Sequence, residues 1–341
     1  LHSGQVEDLY NSITAYKDAI ALESPHSMNR ALYLNNLGAG LNHMYALTNL
    51  VEDLDASIDA WQQASRTSSP YIEGGSILNN LGNGLRDRYA RMGRAEDLDA
   101  AITSYREALT NIPLDSPDRP IILSNLGAGL SSRYQRFGNS EDLDTAITIC
   151  AEAISRSPDN SPTLPGTLNN LGNSLRDRYE IQGTKEDLDA SIVAFEESVA
   201  RTPVGSPDRA GRLSNLGAAL LARYMDTGNP ATLDKAIESH NEAIRYSQDG
   251  SVNWASIFGN LGAGLIARYD LTGNPEDLDA AVSAFEESVS HSTDTSTQRA
   301  THLNNLGTVL HKRYKFTGEL ADLSSALSRW KESVDLTPID S

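Results

Sequence analysis

One phrase recurs down the chain at a nearly fixed interval, and it constrains the fold more than any other feature. It reads Leu34-Asn35-Asn36-Leu37-Gly38, Leu78-Asn79-Asn80-Leu81-Gly82, Leu123-Ser124-Asn125-Leu126-Gly127, Leu168-Asn169-Asn170-Leu171-Gly172, Leu213-Ser214-Asn215-Leu216-Gly217, Phe258-Gly259-Asn260-Leu261-Gly262 and Leu303-Asn304-Asn305-Leu306-Gly307. The glycines at 38, 82, 127, 172, 217, 262 and 307 lie 44 residues apart once and 45 residues apart thereafter. A period in this range means stacked, like units held by neighbour contacts, not separate globular domains. The chain is therefore read as a single array over 1–341: a half unit at 1–26, then units at 27–70, 71–115, 116–160, 161–205, 206–250, 251–295 and 296–341.

Within the unit 116–160, Ser116-Pro117 has the form of an N-cap followed by proline at the first helical position. Serine recurs at Ser27, Ser161, Ser206, Ser251 and Ser296, with Tyr71 as the exception. The spacing of Leu123, Leu126, Leu130 and Tyr134 predicts a first helix, A, ending at Gly138. Gly93, Gly183, Gly228, Gly273 and Gly318 hold the same place, and Asn49 does so in the first full unit. A second helix, B, is predicted from near Ser140, where Glu141 and Asp142 suit the positive end of the helix dipole. Its apolar face is Leu143, Ala146, Ile147, Cys150 and Ala153. Neither helix buries its stripe alone, so the hairpins are expected to stack.

The spacing Leu123-x2-Leu126-Gly127-x2-Leu130, then Ala146-x3-Cys150-x2-Ala153-x4-Pro158, resembles the tetratricopeptide (TPR) repeat. Ala101-x3-Tyr105-x2-Ala108-x4-Pro113 matches its second half best. The resemblance implies an all-α fold: a right-handed α-solenoid of helix hairpins with seven A and eight B helices. The unit is longer than the usual 34 residues, and leucine replaces the usual tyrosine after Leu-Gly. The Asn-Leu-Gly and Glu-Asp-Leu-Asp wording is also similar to arrays in fungal multidomain proteins. There the array accompanies a caspase-like CHAT protease domain or a nucleotide-binding signalling domain.

On a helical wheel, Asn125 falls opposite the apolar stripe of helix A. Asn36, Asn80, Asn170, Asn215, Asn260 and Asn305 repeat it, and in a TPR superhelix the A helices line the concave surface. Such a row resembles the asparagine ladder of O-linked N-acetylglucosamine transferase and implies contact with the backbone of an extended peptide. The alternative is that each asparagine bonds a neighbouring A helix and fixes the stacking angle. Beside the ladder, Asn83, Asp87, Asn173 and Asp177 vary between units and are the expected specificity positions. No lysine cluster appears there, which argues against a carboxylate clamp and for an extended or weakly basic segment. Arg88, Arg133, Arg178, Arg223, Arg268 and Arg313 each precede a tyrosine and are expected to bridge repeats to the acidic start of a B helix. Gly40, Gly84, Gly129 and Gly264 sit mid-helix, where close helix approach would compensate their poor propensity.

The formal net charge of −18 argues against nucleic acid and an anionic membrane as partners. One cysteine, Cys150, permits no intrachain disulfide, and no N-glycosylation sequon is present; both point to a cytoplasmic chain. No catalytic constellation, metal spacing or phosphate loop appears, so no enzyme, cofactor or metal is expected. Leu1–Gly4 aligns with the tail of a helix A, and the last B helix keeps Leu320, Leu323, Ala326, Leu327 and Trp330 with no polar cap after it. The leading expectation is a peptide-binding scaffold. The alternatives are a self-assembling protein whose uncapped ends join into filaments, and the recognition arm of a larger fungal signalling or protease protein.

Overall fold

The structure, a computed structural model, describes residues 2–25, 27–67, 74–247, 254–292 and 297–337. They form fifteen α-helices, and among the described residues there is no strand. The chain divides into two compact units, Leu1–Arg178 and Tyr179–Ser341, with the division inside α8. The first contains α1 (His2–Leu22), α2 (Met28–Thr48), α3 (Val51–Thr67), α4 (Gly74–Met92), α5 (Ala95–Asn111), α6 (Arg119–Phe137), α7 (Ser140–Arg156) and most of α8 (Leu164–Gln182). The second contains α9 (Lys185–Arg201), α10 (Arg209–Thr227), α11 (Pro230–Tyr246), α12 (Trp254–Thr272), α13 (Pro275–Ser290), α14 (Thr297–Thr317) and α15 (Leu320–Leu336). Even-numbered helices are A helices and odd-numbered ones B helices. In each unit A packs on its own B, and B on the next A, giving an all-α solenoid of hairpins.

The turn between A and B is set by one residue. Asn49, Gly93, Gly138, Gly183, Gly228, Gly273 and Gly318 all have positive φ, between 58° and 79°. Each N–H returns to the carbonyl of the tyrosine four residues back, as Gly138 does to Tyr134 at 2.7 Å. This is the left-handed cap that glycine adopts without steric cost. Helix B then starts on an asparagine cap where one is present: Asn139, Asn229 and Asn274 accept from the backbone N–H two residues on, at 3.1–3.2 Å. Entry into helix A differs from the sequence expectation. Ser116 and Ser206 accept from the N–H of Asp118 and Asp208, so their hydroxyls cap an entry turn, and the regular helix begins three residues beyond each serine. Tyr71, Ser251 and Ser296 lie outside the described residues. Gly4 does not end a helix; it sits in the first turn of α1, because no left-handed residue interrupts the backbone there.

The two glycines of the Leu-Gly-x-Gly phrase serve two different contacts. A methyl at Gly82 would stand 2.5 Å from the Tyr105 ring, and one at Gly262 2.7 Å from Phe285, both on the B helix of the same hairpin. Gly129 instead faces Ile102 of the preceding B helix at 3.2 Å, and Gly264 faces Ile237 at 3.1 Å. Leu123, Leu126 and Leu130 are buried, as are Leu143, Ala146, Cys150 and Ala153 across from them.

Cys150 takes the aromatic position of helix B against Gly127. It is fully buried, and burial pushes its thiol up to about 12. Since the thiolate is the reactive form, iodoacetamide is expected to label Cys150 in urea and to leave it unmodified under native conditions. Native labelling at the rate of a free thiol, read by mass spectrometry, would show that the α6–α7 hairpin opens.

Candidate ligand-binding face

All seven ladder asparagines are half-buried on the A helices, and none lies in the core. What their carboxamides do differs along the chain. In the first unit, Asn80 Nδ2 donates to Asn35 Oδ1 at 3.0 Å, Asn125 Nδ2 to Asn79 Oδ1 at 2.9 Å, and Asn170 Nδ2 to Ser124 Oγ at 3.4 Å. Each bond reaches the preceding A helix, to the residue just before that helix's own rung. One N–H of each amide is thus spent on stacking, and a carboxamide has two. In the second unit Asn215 is engaged, whereas among the described residues Asn260 and Asn305 make no side-chain hydrogen bond. Opposite Asn305 the acceptor position is Gly259, which has no side chain to offer.

The four specificity positions are placed as follows. Asn83 Oδ1 accepts the hydroxyl of the buried Tyr105 at 2.8 Å. Asp177 is buried and accepts from Gln135 Nε2 at 3.1 Å. Asn173 and Asp87 are half-buried on the same face. Burial pushes the Asp87 carboxyl above its ordinary range, and the field of the adjacent Arg86 offsets part of that.

The arginine before each tyrosine is a clamp with two jaws. Arg88 Nη2 meets Asp97 at 2.6 Å in its own hairpin, and its Nη1 meets Asp55 of the preceding one at 2.7 Å. Arg133 repeats this with Asp142 at 2.6 Å and Asp99 at 3.1 Å, and Arg313 with Asp322 at 2.8 Å and Asp279 at 3.0 Å. The expected bridge between repeats is present, through the second aspartate of Glu-Asp-Leu-Asp; the first aspartate locks the arginine to its own hairpin. Arg223 has Asp189 at 3.1 Å, but Thr232 stands where the own-hairpin aspartate would be. Hydrogen bonds from Arg313 hold Asp322 below the usual carboxylate range. A carboxyl depressed in the fold contributes stability above its unfolded pKa and loses it as pH falls through the folded one, so this clamp is intact at neutral pH.

A second arginine device went unread in the sequence. Arg30, Arg119, Arg209 and Arg299 each donate to a carbonyl ten residues back at the end of the preceding B helix: Ile20, Leu109, Val199 and Val289, at 2.5–3.2 Å. They recur about every second hairpin, and that doubled spacing was the available signal. Nothing in the periodicity hints that His240 would be fully buried with neither ring nitrogen partnered. Among the described residues no group of three or more metal-binding side chains gathers, and no helix is long and apolar enough to cross a membrane.

These features define a class: an α-hairpin solenoid with a polar, asparagine-lined A-helix face, the architecture of an interaction scaffold. The hairpins can be named more narrowly. A tetratricopeptide-repeat family model matches residues 299–335, which is the α14–α15 hairpin. That hairpin matches a tetratricopeptide repeat, and the fold of the chain is that of TPR proteins. No curated protein matches it in sequence. Among solved structures, the C-terminal part of a TPR repeat-containing protein from Cytophaga hutchinsonii is similar at 12% identity and TM-score 0.51, over 91% of this chain and 100% of that one. PilF of Pseudomonas aeruginosa is similar at 16% identity and TM-score 0.52, over 80% and 95%. A human IFIT1 dimer with m7Gppp-AAAA is similar at 14% identity and TM-score 0.58, over 96% of this chain and 65% of that one.

The last of these corrects the exclusion of nucleic acid. A protein of the same fold was solved with a capped oligonucleotide, so neither the fold nor the total charge rules that partner class out. The physical reason is that −18 is a sum over the whole chain, whereas a ligand responds to the local field of the surface it meets.

Proposed function

We propose that this chain is a non-catalytic scaffold that binds an extended peptide segment along the face shared by its A helices. The observation that carries this reading is that Asn260 and Asn305, both half-buried, make no side-chain hydrogen bond among the described residues. Their amides reach solvent, so a ligand would exchange water for backbone partners at a net gain of about 1 kcal/mol per hydrogen bond. A peptide backbone would supply a carbonyl and an N–H to each rung, whatever its side chains. In the first unit the rungs Asn80, Asn125 and Asn170 combine both roles: one N–H holds the preceding helix, and the remaining polar atoms face the ligand.

The division of roles makes the proposal testable. Asn260→Ala with Asn305→Ala is expected to leave thermal stability within about 0.5 kcal/mol of the parent, as for a substitution that breaks no contact, and to weaken peptide binding by about tenfold or more. Fluorescence anisotropy with labelled Gly-Ser peptides reads the affinity. Unchanged affinity in a folded double variant would remove the ladder as a ligand surface.

A further inference from the structure

The α10–α11 hairpin departs from the others at one corner. Each other B helix from α3 to α15 has at least one acidic residue in its first turn, and α11 has none. Ala231 and Thr232 stand where Glu141 and Asp142 open α7, and Lys235 stands where α7 has Thr145. All three exchanges make this corner more positive, in a chain whose formal total is −18.

The consequence falls on Arg223. Arg88, Arg133, Arg268 and Arg313 each seat an aspartate carboxylate of their own hairpin on the fork of Nε and Nη2, at 2.6–3.1 Å. Arg223 keeps only the contact to the preceding hairpin, Nη1 to Asp189 at 3.1 Å. Among the described residues its Nε and Nη2 have no acceptor. Its side chain is 40% exposed, against 18–33% in those four, so the edge of the fork is open to solvent. A surface cavity of about 300 Å³ lies at this edge. Arg223, Thr232 and Lys235 line it together, with Ile192 and Leu220 as an apolar wall and Glu196 as its one carboxylate. Among the described residues, the side chains of Thr232 and Lys235 make no hydrogen bond or ion pair.

We propose that this cavity is a binding site for a small monocarboxylate, whose carboxylate takes the seat that an aspartate fills in four other hairpins. The guanidinium fork matches the two oxygens of a carboxylate. The Thr232 hydroxyl can donate a further bond, and the first turn of α11 favours a negative charge. Lys235 adds a second positive group, while Glu196 and Asp189 offset part of the field, which favours one ligand charge over two. Ile192 and Leu220 suit a short hydrocarbon body. The site is independent of the asparagine row: its residues lie on α9, α10 and α11, and none is a rung.

The test follows trifluorobutyrate by fluorine NMR in the presence of the full chain. The parent is expected to broaden the signal, and excess butyrate, but not neutral butyramide, to reverse the broadening. Arg223→Gln should lose it. Thr232→Asp supplies the carboxylate that the other hairpins carry, and should lose it as well. Thr232→Asp should also unfold at a higher temperature than the parent, and the gain should shrink in an Arg223→Gln background, where the new carboxylate has no fork to meet. No broadening by the parent overturns the site, as does equal broadening by Thr232→Asp. Reversal by butyramide would show that the apolar wall alone binds the probe, and overturns the carboxylate seat. An equal gain in stability with and without Arg223 would mean that residue 232 does not face the fork, and overturns the geometry.

Discussion

Arg88→Met is expected to destabilise the α4–α5 hairpin by about 3–5 kcal/mol, the cost of leaving one member of a buried ion pair without its partner. The Arg88 side chain is 18% exposed and that of Asp97 8%, so water cannot replace the lost hydrogen bonds. The two bonds from Arg88 Nε and Nη2 to the Asp97 oxygens, 2.9 and 2.6 Å, form a bidentate fork, and the hydrogen bond to Asp97 is the main reason the guanidinium is held charged well above its ordinary range. The other jaw should matter far less. Asp55 is 46% exposed, and Asp55→Ala is expected to cost under about 1 kcal/mol. Hydrogen exchange resolves the two, because a repeat array can open one hairpin at a time. Arg88→Met should deprotect α4 and α5 first, and the pair Arg88→Met with Asp97→Leu should recover much of the loss. A loss no larger than that of Asp55→Ala would show that the own-hairpin jaw is not a stabilising contact.

His240→Phe is expected to stabilise the α10–α11 hairpin, and most strongly in acid. His240 is fully buried, both ring nitrogens lack partners, and burial lowers its pKa from 6.5 to about 4. The sign follows from which state binds the proton. Below pH 6.5 the unfolded histidine protonates and the folded one does not, so stability falls with pH until the folded group titrates near 4. A tenfold difference in proton affinity between the two states corresponds to about 1.4 kcal/mol, so the loss across this window is on the order of 3 kcal/mol. Phenylalanine has no proton to bind and no orphaned nitrogen, and the site already has its shape. A methyl at Gly217 would stand 2.6 Å from the His240 ring, and one at Gly262 2.7 Å from Phe285, the equivalent residue one repeat on. Urea unfolding between pH 7 and pH 4 should show a slope in the parent that is reduced in the variant. Parallel profiles would mean that His240 finds a partner in the fold.

Much of this molecule was legible in its sequence, and the reasons are local. Hairpin boundaries follow from Gly138 and its equivalents, because a left-handed residue ends a helix wherever it stands. Core faces follow from the spacing of Leu123, Leu126 and Leu130, because helical periodicity alone decides which side they share. The paired glycines of Leu-Gly-x-Gly announced close helix approach, although not that Gly127 admits its own B helix and Gly129 the previous one. A charge total, by contrast, says nothing about where charges meet, and the exclusion of nucleic acid drawn from it did not survive comparison.

What the tertiary structure alone decided is the destination of polar atoms. The period places Asn80, Asn125, Asn260 and Asn305 at the same position of their A helices. Only the stacking of helices shows that the first two donate to Asn35 and Asn79, and that the last two do not bond. The same holds for Arg88, whose two carboxylates lie 9 and 33 residues away in sequence. It holds again for Asp177, which finds Gln135 on the preceding A helix. Periodicity fixes direction around a helix axis. Hydrogen bonding depends on distance across the gap between two axes, and that distance is set by the side chains packed between them.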